Sequence, residues 1–178
     1  MTGPRFALLG LPRSGTTWAA NWLTAGAAIC LHDPVADTPP GDIPALDLGR
    51  PWGLSCSSLW LWEDVVRDLA ARCPVVIVER DPAESNAELQ AMGLPALPGW
   101  MHEVFARVPG LRVPFSDLWS EEGAARIWQH LRPAEEFDAA RWRMLRDMRV
   151  TPILERVTIC GGTLEALRAE YQRRGETP

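Results

Sequence analysis

The stretch GLPRSGTT, residues 10–17, sets two glycines five positions apart and follows the second with two threonines. In a strand–turn–helix connection this spacing turns backbone N–H groups toward one point, where the helix dipole favours an anion. Gly15 lets the backbone approach a ligand closely. Ser14, Thr16 and Thr17 add hydroxyls, and Arg13 adds a planar charged fork that suits phosphate. A nucleoside triphosphate enzyme carries lysine where Thr16 stands, yet all 18 basic residues of this chain are arginine. The plain alternative is a connection that needs its two glycines for the turn alone.

Two further groups can do chemistry. PVVIVERDP, residues 74–82, ends a β-branched run in Arg80, which then emerges at the C-terminal edge of a central strand, where open α/β sheets bind ligands. Ser85 and Glu88 follow three residues apart and share a helix face. CLHDP, residues 30–34, presents His32 and Asp33 after a short apolar run. Either can act as a base, Asp33 by its placement and His32 by its intrinsic pKa; an ordinary turn is the alternative. His102 and His130 lie on helix faces and read as structural. Cys30, Cys56, Cys73 and Cys160 have no zinc spacing, so they read as buried reduced thiols, and no metal site is expected.

The elements that must hold these residues follow from periodicity and punctuation. Short apolar runs at 5–10, 28–31, 52–56, 74–79 and 111–115 predict strands, and the continuous run at 74–79 predicts a central strand buried on both faces. Helical spacing predicts helices over 16–25, 57–72, 82–92, 100–108, 121–131, 137–148 and 163–173, with Asp81 capping the third. Five prolines in 34–51 predict a surface loop long enough to serve as a lid. Strands alternating with helices predict a single α/β domain over 1–178. It is a three-layer sandwich around a parallel sheet of about four or five strands, with a C-terminal helical tail over 154–178.

Pro12 to Thr17, PRSGTT, resembles the 5′-phosphosulfate loop of the sulfotransferases, whose signature is Pro-[Lys/Arg]-Ser-Gly-Thr-Thr after an N-terminal strand. The resemblance covers 6–33 and 74–90 and is nearest to short sulfotransferase-like proteins of bacteria and phages. It implies a fold related to the P-loop nucleotide kinases. It also implies the donor 3′-phosphoadenosine 5′-phosphosulfate (PAPS) or its product PAP, with no metal required. Carried over, Arg13, Ser14, Gly15, Thr16 and Thr17 wrap the 5′-phosphosulfate, and Arg13 stabilises charge. Trp18 falls at an adenine-stacking position, with a core role as its alternative. Arg80 falls at the 3′-phosphate position, and His32 or Asp33 at that of the catalytic base. The family places serine eight residues after this arginine; here that residue is Glu88, and Ser85 stands in from one turn earlier. A Glu88 carboxylate facing a 3′-phosphate would repel it. The Gly-x-x-Gly segment of the cytosolic enzymes is not recognisable.

The expected activity is therefore sulfuryl transfer to a hydroxyl or amine of an unidentified small molecule or glycan. A magnesium-dependent P-loop kinase, with Thr17 on the metal and Glu79 or Asp81 as the acid, is the second reading. A non-catalytic nucleotide-binding accessory protein is the third. Net charge of -5 argues against a nucleic-acid surface. With Pro12, Arg13 and Ser14 breaking the early apolar stretch, no membrane span is expected; a cytoplasmic protein is, with a homodimer as one candidate assembly. Nine tryptophans in 178 residues are many, and those beside the Pro-rich loop are the candidates for lining a site.

Overall fold

The computed structural model describes residues 2–148 and 158–176, and its five strands form one sheet. They are β1 (Ala7–Gly10), β2 (Ile29–His32), β3 (Trp52–Cys56), β4 (Val75–Glu79) and β5 (Leu111–Pro114). Every pairing is parallel and the spatial order is β2-β3-β1-β4-β5. β1 is central, flanked by β3 through Ala7↔Leu54 and by β4 through Gly10↔Val78. A parallel sheet must be covered on both faces. Accordingly, Leu8, Val76, Val78 and Val113 join one core cluster while Ala7, Leu9, Val75 and Ile77 join the other.

Helices supply the two outer layers. α1 (Thr16–Leu23), α5 (Glu121–Leu131) and α6 (Ala139–Arg146) cover the first face, where Trp18, Trp22, Trp128 and Trp142 are buried. α2 (Glu63–Arg72) and α4 (Gly99–Ala106) cover the second, with Leu167 and Tyr171 of α7 (Gly161–Arg173) packed against the same cluster. α3 (Pro82–Ala91) starts as its sequence dictates: Asp81 accepts from the Ala83 N–H at 2.7 Å and proline fills the first turn. Ser120 and Asp138 cap α5 and α6 in the same way.

Two expectations are corrected. The helix predicted over 57–72 is interrupted: Leu59–Leu61 form a 3-10 turn and α2 begins only at Glu63. The Trp60 indole N–H donates to the carbonyls of Gly10 and Ser57, a tertiary contact that fixes this turn against the helical preference of its neighbours. The Pro-rich segment 34–51 is not an open surface loop. It contains 3-10 helices Pro34–Ala36 and Pro40–Ala45, and Ile43, which is wholly buried, joins the core under α2. α7 docks on this segment through Thr163, whose hydroxyl donates to the Val35 carbonyl at 2.6 Å. The helical tail expected over 154–178 is present as α7, while 154–157 and 177–178 lie outside the described residues.

All four cysteines are free; Cys30, Cys56 and Cys73 are buried, and burial pushes the Cys73 thiol up to about 11. Among the described residues no helix is long and apolar enough to cross a membrane.

On β3 the Phe6 ring occupies the space in front of Gly53. A Cβ on Gly53 would lie 2.2 Å from the Phe6 ring, so this strand position needs glycine. Gly53→Ala is expected to destabilise the fold by about 1–3 kcal/mol, the usual cost of overpacking. Urea unfolding checks this, and Phe6→Leu in the same chain should recover part of the loss, because the two residues touch.

Candidate functional site

All five strands point their C-terminal ends to one edge, and the turn after β1 sits at its middle. α1 leads from β1 toward β2, whereas the helices after β4 lead toward β5, so β1 and β4 diverge at a topological switch point. Within this turn the carbonyls are drawn inward. Gly10 accepts from Trp60 Nε1 at 3.0 Å, Pro12 from Ser85 Oγ at 2.6 Å, Arg13 from Arg80 Nη1, and Thr16 from Ser55 Oγ at 2.8 Å. Gly15 is left-handed (φ 77°) and no side chain caps α1; its first turn holds no acidic residue. The positive helix end is thus uncompensated, as an anion site requires. Ser14 is fully buried, and its Oγ makes no hydrogen bond among the described residues.

One flank of the turn carries His32 and Asp33. His32 ends β2, and its Nε2 lies 3.0 Å from Thr17 Oγ1, 3.4 Å from Thr16 Oγ1 and 3.1 Å from Asp33 Oδ2. Asp33 in turn accepts from the Ser57 N–H at 2.6 Å and from the Ser57 hydroxyl at 3.0 Å. An Nε2 lone pair would face the Asp33 carboxylate, so the neutral ring carries its proton on Nε2 and its lone pair on Nδ1. Nδ1 makes no hydrogen bond among the described residues and the ring is partly exposed. The two candidate bases therefore differ in role: Asp33 holds and orients, and His32 offers a free lone pair.

The other flank carries Arg80. Its guanidinium lies 4.6 Å over the Phe115 ring, donates to Glu88 Oε1 at 2.5 Å and also reaches Glu84. Glu88 Oε2 receives a second bond, from Arg13 Nε at 3.0 Å. One carboxylate therefore sits between the two guanidiniums of the site. Arg80 chiefly, and Arg13 second, hold the Glu88 carboxyl below the usual carboxylate value. Arg13 and Asp33, one on each flank, are the non-glycine residues with positive φ among those described, at 69° and 44°. Such backbone costs energy and persists only where the surroundings impose it.

Several sequence expectations change. Trp18 takes the core alternative: it is buried against Trp22 and Trp119, and its indole N–H is satisfied by the Leu145 carbonyl at 2.7 Å. Gly15 is required by its left-handed backbone and by packing, since a Cβ there would meet Leu118 at 3.0 Å. Ser85 does not present its hydroxyl to a ligand; it is fully buried and ties down Pro12. Trp52, beside the Pro-rich segment, is in the core, whereas Phe115 and Trp119 are the half-buried aromatics next to the turn. Ser55, Ser57, Trp60 and Phe115 are not among the site residues expected from the sequence, where Ser57 reads as a helix cap. Their one local signal is position, because Ser57 directly follows β3 and Phe115 directly follows β5, at the same edge as Arg80.

The Glu88 pairing stabilises the fold at pH above the ordinary glutamate value of about 4.3, and that stabilisation is lost as pH falls through the lower folded value. A carboxyl NMR titration is expected to place the Glu88 midpoint below that of a free glutamate, and Arg80→Met should raise it. Compared with known proteins, the chain matches no protein-family model and no curated protein.

Proposed function

We propose that the protein is a sulfotransferase-like enzyme. It holds the 5′-phosphosulfate end of an adenosine donor on the turn 12–17 and transfers the sulfuryl group to a hydroxyl or amine. The observation that carries this reading is the pairing of an uncapped helix start after a left-handed Gly15 with a His32–Asp33 dyad resting on Thr16 and Thr17. The donor, of which PAPS is the form the resemblance implies, supplies a sulfuryl group on a phosphate leaving group. Gly15, Thr16 and Thr17 bind the phosphosulfate through backbone N–H groups and the threonine hydroxyls, and Ser14 offers its hydroxyl, since its N–H is held by the Leu11 carbonyl. Arg13 touches Glu88 through Nε alone, so its two Nη groups are left to oppose the charge that develops on the leaving phosphate. His32, its ring held by Asp33 and Asp33 in turn by Ser57, takes the acceptor proton.

The magnesium kinase reading has less support. Glu79 pairs with Arg112 at 2.6 Å, and Asp81 is used in capping α3, so neither acid faces Thr17. The fit to the donor is uneven, however. The turn suits the phosphosulfate end, while at the Arg80 end the groups that would receive a 3′-phosphate are engaged with one another.

Sulfuryl transfer is expected to survive EDTA. His32→Gln should lower kcat by about 10²–10⁴-fold, the usual worth of a general base, with the donor KM little changed. Transfer measured with labelled donor over a panel of phenols, sugars and amines checks this. ATP hydrolysis abolished by EDTA would instead favour the kinase, and donor binding without any transfer the accessory protein.

A further inference from the structure

The sheet order gives the turn two unlike sides. β2 and β3 bring His32, Asp33 and Ser57 to one side of β1, and β4 and α3 bring Arg80, Ser85 and Glu88 to the other. A donor whose reacting end faces His32 must extend its nucleoside over the Arg80 side. The ribose is then read by whatever charge that side presents. Where a protein meets a nucleotide ribose, a carboxylate selects free hydroxyls, which can donate to it, and an unpaired arginine selects an added phosphate.

In this chain the Arg80 side is committed. Arg80 donates through Nη1 to the Arg13 carbonyl, through Nη2 to Glu88 and through Nε to Glu84, and its flat face lies on Phe115. With 11% of its side chain exposed, it is held in place, whereas Glu88 is 40% exposed and reaches in from the rim. Ser85 is spent on Pro12. A phosphate arriving here must displace a carboxylate that already has two charge-assisted partners, and must then lie beside it. A ribose hydroxyl needs neither: it can donate to a Glu88 oxygen, which has lone pairs to spare after accepting one bond each from Arg13 and Arg80.

We infer that Glu88 is the specificity-determining residue of the nucleoside end, and that the site takes a nucleotide with free ribose hydroxyls in preference to one phosphorylated at the 3′ position. The inference rests on the reading that the turn 12–17 holds a nucleotide 5′-phosphate. Arg13 and Arg80 form the electrostatic frame, and Glu88 fixes its sign toward the ribose. Glu88 also ties the turn to α3 through Arg13, so the same contact that selects the ligand steadies the loop that binds it.

Calorimetric titration of the full chain with adenosine 5′-monophosphate and with adenosine 3′,5′-bisphosphate tests this, using the wild type, Glu88→Ser and Glu88→Gln. The wild type is expected to bind the monophosphate at least as tightly as the bisphosphate, despite the smaller charge. Both variants should shift the affinity ratio at least tenfold toward the bisphosphate. A cooperative melt of each variant certifies folding, and Glu88→Gln keeps the side-chain shape if Glu88→Ser loosens the turn. Tenfold tighter bisphosphate binding by the wild type, or one ratio shared by all three proteins, would overturn the inference while leaving the nucleotide reading intact. Failure of all three folded proteins to bind either nucleotide would overturn the nucleotide reading, and the inference with it.

Discussion

Four backbone carbonyls in and beside the turn after β1 accept hydrogen bonds from side chains that arrive from distant parts of the chain: Trp60 on Gly10, Ser85 on Pro12, Arg80 on Arg13 and Ser55 on Thr16. A fifth bond lies within the turn itself, from the Ser14 N–H to the Leu11 carbonyl at 3.1 Å. Each such bond contributes about 0.5–1.5 kcal/mol net. Left-handed backbone at a non-glycine residue costs about 1–2 kcal/mol. The set of four therefore outweighs the cost of holding Arg13 in that conformation. The donors come from β3, from the 3-10 turn after it, from the end of β4 and from α3. The geometry of the turn thus belongs to the assembled sheet edge and not to the eight-residue motif alone.

The same edge separates two groups of side chains. β1 lies between neighbours that differ in what they carry past their ends, the His32–Asp33 pair on the β3 side and the Arg80–Glu88 charge cluster on the β4 side. A ligand lying across β1 meets both at once, and neither cluster needs to move relative to the other. Phe115 ties the β5 side into this arrangement by supporting Arg80 from below.

Much of this was legible in the sequence, for particular reasons. VVIVE reads as a buried strand because an unbroken β-branched run has few other uses, and Asp81-Pro82 marks a helix start by its chemistry. The motif 12–17 identifies its own turn because glycine and hydroxyl spacing is local. Contacts across the fold leave no such trace. Periodicity favours one helix over 57–72, yet the Trp60 indole reaches Gly10, 50 positions away in sequence, and breaks it. Glu88 was conspicuous as the wrong residue at its position, but nothing local indicated that it would bridge both arginines. Trp18 gave equal warrant for a base-stacking face and for a core aromatic, and only the packing of Trp22 and Trp119 decides between them.

Arg13 is a side chain kept where glycine would be more comfortable. Its φ of 69° is glycine territory, and all arginine codons lie a single base change from a glycine codon. Glycine here would relax the backbone and leave the carbonyl for Arg80 to grip, but it would also remove the ion pair with Glu88 that ties the turn to α3. The side chain that keeps the strained conformation is thus the one that joins the turn to α3. The single-base change to glycine would exchange backbone strain for a turn cut loose from its helix.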